Sequence, residues 1–383
     1  MGAGPWIGAR LGDFGARVVK VEHPQRPDPF RELSCEKKDG VSLWWKSDWR
    51  NHRAITLDLK SLEGREIALR LAERADVVIE NFRPGTLEAW GLGWENLRAV
   101  NARLVMVRVT GWGQTGPYAR RPGFGTLAEA ASGLAHLNGW PDGPPTLPPL
   151  ALGDQITALL GSYATMVALY ERDRPGGSGQ GQYIDLAIAE AVYSLLRVQS
   201  IVWDQLGEVL ERRGNIWERA APRNLYRCGD GQWVAVAAST QSIFESIMRA
   251  IGRPELVDDP RFATSRSRGE HHEELDRVMA EWLEQRTRHE ALEVLMAEGG
   301  VAPVHDAASL AEDPQYQARE LLIPVEDPEL GTVRVGNVRP ILSRTPGEIR
   351  SLGRPHGADT HEVLAELGYR PEQVEALREK GVV

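Results

Sequence analysis

The chain has 383 residues, 42% of them hydrophobic, so it is long enough for two ordinary domains or one large discontinuous domain. Its formal net charge is −9, and no dense stripe of lysine and arginine is present, which argues against a nucleic-acid partner. No apolar run is long enough to span a bilayer and no leader-like segment follows Met1, so the composition favours a cytoplasmic protein with no membrane partner.

The cysteine content points to the same compartment. The two cysteines, Cys35 and Cys228, are far apart and have neither CxxC nor Cys/His spacing. This usage is typical of a reducing environment and predicts neither a disulfide framework nor a zinc site.

The first half of the chain alternates predicted strands and helices after a predicted turn at residues 2–5. Strands are predicted at residues 17–22, 54–59, 76–80, 104–109 and 182–187. Helices are predicted at residues 61–74, 87–100, 152–172 and from 188 onward. Such alternation predicts parallel βαβ units in a Rossmann-like sheet.

The second half begins with a predicted linker, because residues 205–222 have few apolar positions at any regular spacing. A strand at 233–237 and the segments after it then predict a second, smaller α/β unit. Its other elements are helices at 243–251, 271–284 and 288–299 and a strand at 301–304.

The acidic residue Asp154 opens the helix predicted at 152–172, behind a proline-rich loop. A carboxylate at a helix start lies among unpaired backbone N–H groups and at the positive end of the helix dipole. Taken alone, the residue is most simply an N-cap, for which aspartate is favoured. Other segments of the chain, considered together with this one, point away from a purely structural role.

Four segments carry a resemblance when they are taken together. They are Val21-Glu22-His23-Pro24, Leu57-Asp58-Leu59-Lys60 with Glu63-Gly64, Asn81-Phe82-Arg83-Pro84-Gly85, and Leu152-Gly153-Asp154. Their order and spacing resemble the family III CoA-transferases (CaiB/BaiF), which include formyl-CoA and carnitine-CoA transferases. Segments 300–304, 313–315 and 360–364 look like the family's C-terminal landmarks, so the resemblance covers the chain from Ala3 onward.

The resemblance implies an enzyme that moves CoA from an acyl-CoA to a carboxylic acid. Asp154 would be the nucleophile, forming a mixed anhydride and then an aspartyl-CoA thioester. Lys60 would supply a cation for the CoA phosphates. The full set of implied CoA-binding residues is Gly2, Ala3, His23, Leu57, Leu59, Lys60, Asn81 and Phe82. No metal and no permanently bound cofactor are implied, since CoA enters as part of the substrates.

The resemblance also implies an architecture: a Rossmann-like large domain with a parallel sheet plus a smaller α/β domain. Two chains would interlock as rings in a homodimer. The expected boundaries are a large CoA-binding domain at 1–200, a linker at 201–225, a small domain at 226–320, a return linker at 321–350 and a C-terminal segment at 351–383 that returns to the large domain.

The sequence departs from the family pattern at several positions. The strand that precedes the position of Gly2 in the family is absent, so either the start is misassigned or an edge of the sheet is lost. Gly2, Ala89, Pro122 and Gly125 stand where relatives have polar, arginine, basic and acidic residues, respectively. The family's glycine-rich loop is not evident at 237–241, which argues against oxalate or formate as substrate.

Three alternatives remain open. Decay of the CoA site would leave a CoA-binding paralogue without catalysis. An α-methylacyl-CoA racemase would need a histidine where Phe124 stands. A dinucleotide-dependent oxidoreductase is suggested by Gly2-x-Gly4-x-x-x-Gly8 with Glu22, although the fingerprint requires a preceding strand.

Overall fold

The structure, a computed structural model, describes residues 2–33, 36–217 and 220–383. It is a mixed α/β fold whose chain divides into two compact units. The first unit comprises Met1–Ala135, Leu147–Leu210 and Ala318–Val383, and the second comprises His136–Thr146 and Glu211–Gln317. The sequence-based domain boundaries stay a prediction, because compactness alone does not show which segments fold independently.

The strands are β1 (Val18–Glu22), β2 (Lys37–Lys38), β3 (Val41–Ser42), β4 (His52–Thr56), β5 (Val77–Glu80), β6 (Val105–Thr110), β7 (Tyr183–Ala187), β8 (Arg223–Arg227), β9 (Trp233–Ala237), β10 (Val301–Pro303), β11 (Leu322–Asp327) and β12 (Gly331–Gly336).

The helices of the first half are α1 (Ala3–Asp13), α2 (Phe30–Leu33), α3 (Leu43–Asp48), α4 (Leu62–Arg74), α5 (Thr86–Ala89), α6 (Trp94–Val100), α7 (Gly125–Ala131), α8 (Leu134–Leu137), α9 (Leu152–Asp173) and α10 (Ile188–Tyr193). Those of the second half are α11 (Arg197–Leu206), α12 (Gln241–Ala250), α13 (Ser265–Glu270), α14 (His272–Glu284), α15 (Arg288–Leu295), α16 (Ala307–Glu312), α17 (Pro314–Ala318), α18 (Thr360–Glu366) and α19 (Pro371–Glu379).

Parallel strands form the centre of the first unit. β1 pairs with β4, and β5, β6 and β7 form a three-stranded sheet in that order. Every residue of β6 is buried, as expected for the middle strand of a parallel sheet covered on both faces. The predicted parallel βαβ units are therefore confirmed.

Helices α1 and α9 pack closely against each other in this unit because the facing position on α9 is a glycine. A Cβ added at Gly161 would lie 2.4 Å from Cδ1 of Ile7, so even alanine does not fit. This approach fixes α9 on α1 and brings the first residues of the two helices together.

The second unit has its own core. Strands β10, β9 and β8 form an antiparallel sheet, and helices α12, α14 and α15 contribute buried apolar residues to a cluster that includes Phe244, Met279 and Leu295. Cys228 is buried in the same cluster, whereas Cys35 lies outside the described residues.

Two predicted elements are wrong. Residues 2–5 do not form a free turn, because Ala3–Asp13 is a helix, and a proline is tolerated in a first helical turn since no backbone N–H is needed there. The helix predicted at 87–100 is two helices, α5 and α6. Gly91 has a positive φ of 69° between them, which breaks the helical path.

The C-terminal segment belongs to the first unit. β11 and β12 form an antiparallel hairpin within the stretch predicted as a return linker. Apolar residues of α18 and α19 join Leu57 and Ile67 in a common core cluster. Within the described part of the chain, no helix is long and apolar enough to cross a membrane.

Candidate active site

The carboxylate of Asp154 lies where two helices begin. Asp154 is the third residue of α9, and the N-cap is Ala151, so the cap interpretation of Asp154 is wrong. Its side chain instead accepts a hydrogen bond from the backbone N–H of Ala3, the first residue of α1. The N-terminal ends of both helices therefore provide positive potential at this carboxylate.

Glycines leave space around the same carboxylate. A Cβ at Gly125, the first residue of α7, would lie 2.8 Å from Oδ2 of Asp154. A Cβ at Gly2 would lie 3.4 Å from its Cγ. Asp154 is neither fully buried nor fully exposed, so a reagent of limited size can reach it.

The environment raises the pKa of Asp154 above its usual value. The largest cause is burial, which disfavours the charged form, and the negative charge of Glu129 raises the pKa further. The hydrogen bond from Ala3 opposes these effects. A carboxylate that retains more basicity is a better nucleophile than a strongly stabilised one.

The Asn81–Phe82 motif is held by the sheet beneath it. Glu80 ends β5 and is buried, and its Oε2 accepts the Phe82 N–H at 2.8 Å. Its Oε1 accepts a 3.0 Å bond from Nε of Arg108 on β6. A Cβ at Gly4 would lie 3.4 Å from Asn81, so this motif reaches the first turn of α1.

The side chains of Lys60 and Phe82 both contact the ring of Trp90, a residue that the sequence did not predict as part of the site. The ring of Phe82 contacts that of Trp90 edge-on, with centroids 5.1 Å apart. The ammonium of Lys60 lies 5.7 Å from the Trp90 ring centroid. Trp90 thus lies between Lys60, the predicted cation for the CoA phosphates, and Phe82, the predicted apolar contact to CoA.

The other predicted CoA contacts lie beside Lys60. Asp58 accepts the backbone N–H of Lys60 at 3.0 Å, and its Oδ1 is 3.9 Å from Nε2 of His23. Leu57 is buried, and Leu59 is partly buried against the same core cluster. The side chain of Leu57 therefore serves packing and leaves only its backbone to a ligand.

A cavity of about 500 Å³ lies beside the Asn81–Phe82 motif. Its lining residues include Pro84, Gly85, Arg108, Gln114 and Arg120. The Nε2 of Gln114 is buried and has no partner among the described residues. The cavity lining therefore carries the positive charge of Arg120, whereas Arg108 is already paired with Glu80 and Glu88.

The structure brings the predicted residues into one contiguous series within the first unit. Gly2 and Ala3 contact Asp154, and Asn81 and Phe82 lie between that end and the end formed by Lys60 and His23. Among the described residues, no cluster of three or more His, Cys, Asp or Glu side chains is arranged to hold a metal ion.

Glu129 is the functional candidate that sequence reasoning missed. It is buried on α7, and its Oε1 accepts the N–H of Gly153 at 2.7 Å. The available signal was a single acid among the small and apolar residues of α7, but such an acid is ordinarily assigned to a solvated helix face.

Comparisons with known proteins agree on one family. The profile of CoA-transferase family III matches residues 1–360. A succinyl-CoA–D-citramalate CoA-transferase of Chloroflexus aurantiacus is 42% identical over all of this chain and 94% of the relative. A succinate–glutarate CoA-transferase of Agrobacterium fabrum is 34% identical over 95% of this chain and 92% of the relative.

A solved structure gives the same result. The crystal structure of a CaiB/BaiF family protein from Brucella suis superposes with a TM-score of 0.83 at 33% identity, covering 96% of each chain. The resemblance found in the sequence motifs and the class of enzyme it implied are thus confirmed, and this chain belongs to CoA-transferase family III.

Proposed function

We propose that this chain moves CoA from an acyl-CoA donor to a carboxylic acid acceptor, with Asp154 as the nucleophile. The observation that carries the proposal is the partly buried carboxylate of Asp154 at the joint N-terminal ends of α1 and α9. Glycines at positions 2 and 125 leave room for an acyl group beside it.

The chemistry proceeds without a cofactor of its own. An Asp154 oxygen attacks the thioester carbon, the C–S bond breaks, and CoA leaves as a thiolate from a mixed anhydride. The thiolate then attacks the aspartyl carbonyl and releases the first acid, which leaves an enzyme thioester. The acceptor carboxylate reverses both steps and restores Asp154.

Oxyanions form in each step and need hydrogen-bond donors. The N–H of Gly153 is occupied by Glu129, whereas the N–H of Asp154 has no acceptor among the described residues. We assign this N–H as a donor to the tetrahedral intermediates, a role worth about 3–4 kcal/mol where one such donor has been removed in another enzyme.

CoA would extend along the series of predicted contacts. The thioester lies at Asp154, the chain passes Asn81 and Phe82, and the phosphates lie near Lys60 and His23. The Lys60 ammonium over the Trp90 ring supplies the positive charge at that end. The cavity beside Phe82 provides additional room for part of the long CoA chain.

The active assembly is proposed to be a homodimer of interlocked rings, as the family resemblance implies. Exposed apolar residues support self-association. No residue of α11 is buried, and its Ile201 and Leu206 are 64% and 66% exposed. On α9, Tyr163 and Tyr170 are 68% and 70% exposed. Apolar faces of this extent in a water-exposed position favour burial against a second copy.

Succinyl-CoA is the donor to test first. The relatives from Chloroflexus aurantiacus carry succinyl-CoA in their names, paired with D-citramalate or L-malate. We therefore propose a short dicarboxylic acid as acceptor.

Size-exclusion chromatography with light scattering tests the proposed homodimer separately from the substrates, and a monomer at micromolar concentration would contradict it.

The decisive experiment is intact-protein mass spectrometry after mixing the protein with succinyl-CoA and other acyl-CoAs, followed by hydroxylamine trapping. The expected adduct maps to Asp154, disappears in Asp154→Asn and persists in the control Asp173→Asn at the far end of α9. CoA binding without an adduct would support the decayed paralogue. Solvent deuterium entering a 2-methylacyl-CoA, again without an adduct, would support a racemase.

A further inference from the structure

A second carboxylate is buried beside the candidate nucleophile. Glu129 is 2% exposed, and its Oε1 accepts the N–H of Gly153 at 2.7 Å, immediately before Asp154 in α9. The fit is tight, since a Cβ at Gly153 would lie 3.3 Å from both Cγ and Oε1 of Glu129. Among the described residues, no lysine, arginine or histidine side chain pairs with Glu129.

A buried carboxylate without a cationic partner is costly to the fold, and such charges are usually paired. The N-terminal dipole of α9 and one N–H offset only part of that cost. Occupying this N–H also removes a donor from the vicinity of Asp154. The position of Glu129 is therefore unfavourable for stability but suited to acting on the neighbouring carboxylate.

We propose that Glu129 drives acylation of Asp154 by repelling the negative charge that the nucleophile carries at rest. The inference rests on the proposed function, since it concerns the same nucleophile. Glu129 contacts no reacting atom in this scheme and acts through Asp154, so it is a positioning residue.

The charge balance of the reaction gives the direction of the effect. When an Asp154 oxygen bonds to the acyl carbon, the electron pair of the C–S bond leaves on sulfur, and no proton moves. When the first acid departs, the negative charge that was on Asp154 leaves the protein with it. Repulsion from Glu129 is present in the free enzyme and relieved in the enzyme thioester, so the equilibrium moves toward the thioester.

The electrostatics of Asp154 agree with this direction. Burial raises the pKa of Asp154, and Glu129 raises it further. The other elements packed on α9 carry the charged residues Arg10 and Asp13 on α1, Arg108 on β6, Asp185 on β7 and Glu190 on α10. None of these contributes to the pKa shift of Asp154, so among the described residues Glu129 is the charged side chain that acts on it.

The test compares isosteric variants by the equilibrium amount of enzyme thioester. Purified full-length protein is mixed with succinyl-CoA and succinate at fixed concentrations, and the adduct fraction is read by intact-protein mass spectrometry. Glu129→Gln keeps an oxygen for the Gly153 N–H but removes the charge. Glu129→Asp keeps the charge but shortens the side chain. Glu171→Gln removes one charge at the other end of α9, about 25 Å away by helix rise.

The expected result is a fall of more than about threefold in the equilibrium constant for enzyme-thioester formation in Glu129→Gln, because the like charge beside Asp154 is removed. Glu129→Asp, which keeps the charge, and Glu171→Gln, whose charge lies more than a Debye length from Asp154, should both stay within about threefold of the wild type. An unchanged equilibrium in Glu129→Gln, or an equal loss in Glu129→Asp, would overturn the inference.

A second measurement needs no acyl-CoA. Carbodiimide coupling of Asp154 to an amine, followed by peptide mass spectrometry across pH, reports the apparent pKa of Asp154. Glu129→Gln should move that pKa downward, and Glu171→Gln should not. If no donor acylates the wild type, the proposed function fails. The labelling experiment still decides whether Glu129 acts on Asp154, since an unmoved pKa would refute it.

Discussion

Replacing Gly125 by alanine should slow the reaction of the nucleophile without unfolding the protein. The added methyl carbon would lie 2.8 Å from Oδ2 of Asp154, where an ordinary contact begins at 3.4 Å. Gly125 has no positive φ and opens α7, so alanine is acceptable to the backbone itself. The strain is therefore relieved by moving the end of the Asp154 side chain.

The size of the effect follows from that displacement. The carboxylate must shift by about 0.6 Å, the difference between the two distances, and a 1 Å misplacement of a reacting group costs about a hundredfold in rate. We expect acylation of Asp154 to slow by about 10- to 100-fold, which is about 1.4–2.7 kcal/mol in the barrier. The melting temperature should change little, because a mobile side-chain end absorbs the contact.

Single-turnover acylation by succinyl-CoA, followed by quenched mass spectrometry, measures this rate. The matched control is Gly336→Ala on β12, where an added Cβ meets no atom within 4 Å. If Gly125→Ala were acylated at the wild-type rate, the position assigned to Gly125 beside Oδ2 of Asp154 would be refuted. So would a loss of activity that is matched by a loss of thermal stability, because the defect would then be one of folding.

Two further predictions concern the stability of the first unit. Gly161→Ala places a methyl carbon 2.4 Å from Cδ1 of Ile7 and should lower the free energy of unfolding by about 1–3 kcal/mol. Urea denaturation measures this change, and an unchanged midpoint would contradict the close packing of α1 on α9. Burial lowers the pKa of His52 from 6.5 to about 3, and both ring nitrogens are unpaired. Since the unfolded chain binds the proton more tightly, stability is lost as the pH falls below 6.5, by about 2 kcal/mol between pH 7 and pH 5. The free energy of unfolding of His52→Met, measured by urea titration at pH 7 and pH 5, should fall less between these pH values than that of the wild type. An equal fall in the two proteins would refute the prediction.

Local pattern was enough to predict many of the elements that hold the site. The sequence predicts a helix at residues 152–172 with Asp154 in its first turn, and α9 spans Leu152–Asp173. The strand predicted at 233–237 is β9, and Ser61 caps α4 through a bond from the Gly64 N–H. Hydrophobic periodicity and capping are properties of neighbouring residues, so they can be read without the fold.

The sequence was misleading at residues 2–5, where local signals for a turn and for a helix are both present. Gly2, Gly4 and Pro5 together suggested a turn, but α1 buries Trp6 and Ile7 against the core, and this packing favours the helix. Helix propensity is a weak preference that tertiary contacts override.

By itself, therefore, the sequence determined the family, the parallel βαβ arrangement and the identity of Asp154 as the candidate nucleophile. Only the tertiary structure placed Ala3, Gly125 and Glu129 around that carboxylate, although Ala3 is about 150 residues away along the chain. The physical reason is that motifs and periodicity depend on residues close in sequence. The charge, space and hydrogen bonds at a reacting atom depend instead on how helices pack, and here on a glycine at position 161 that lets α1 and α9 approach.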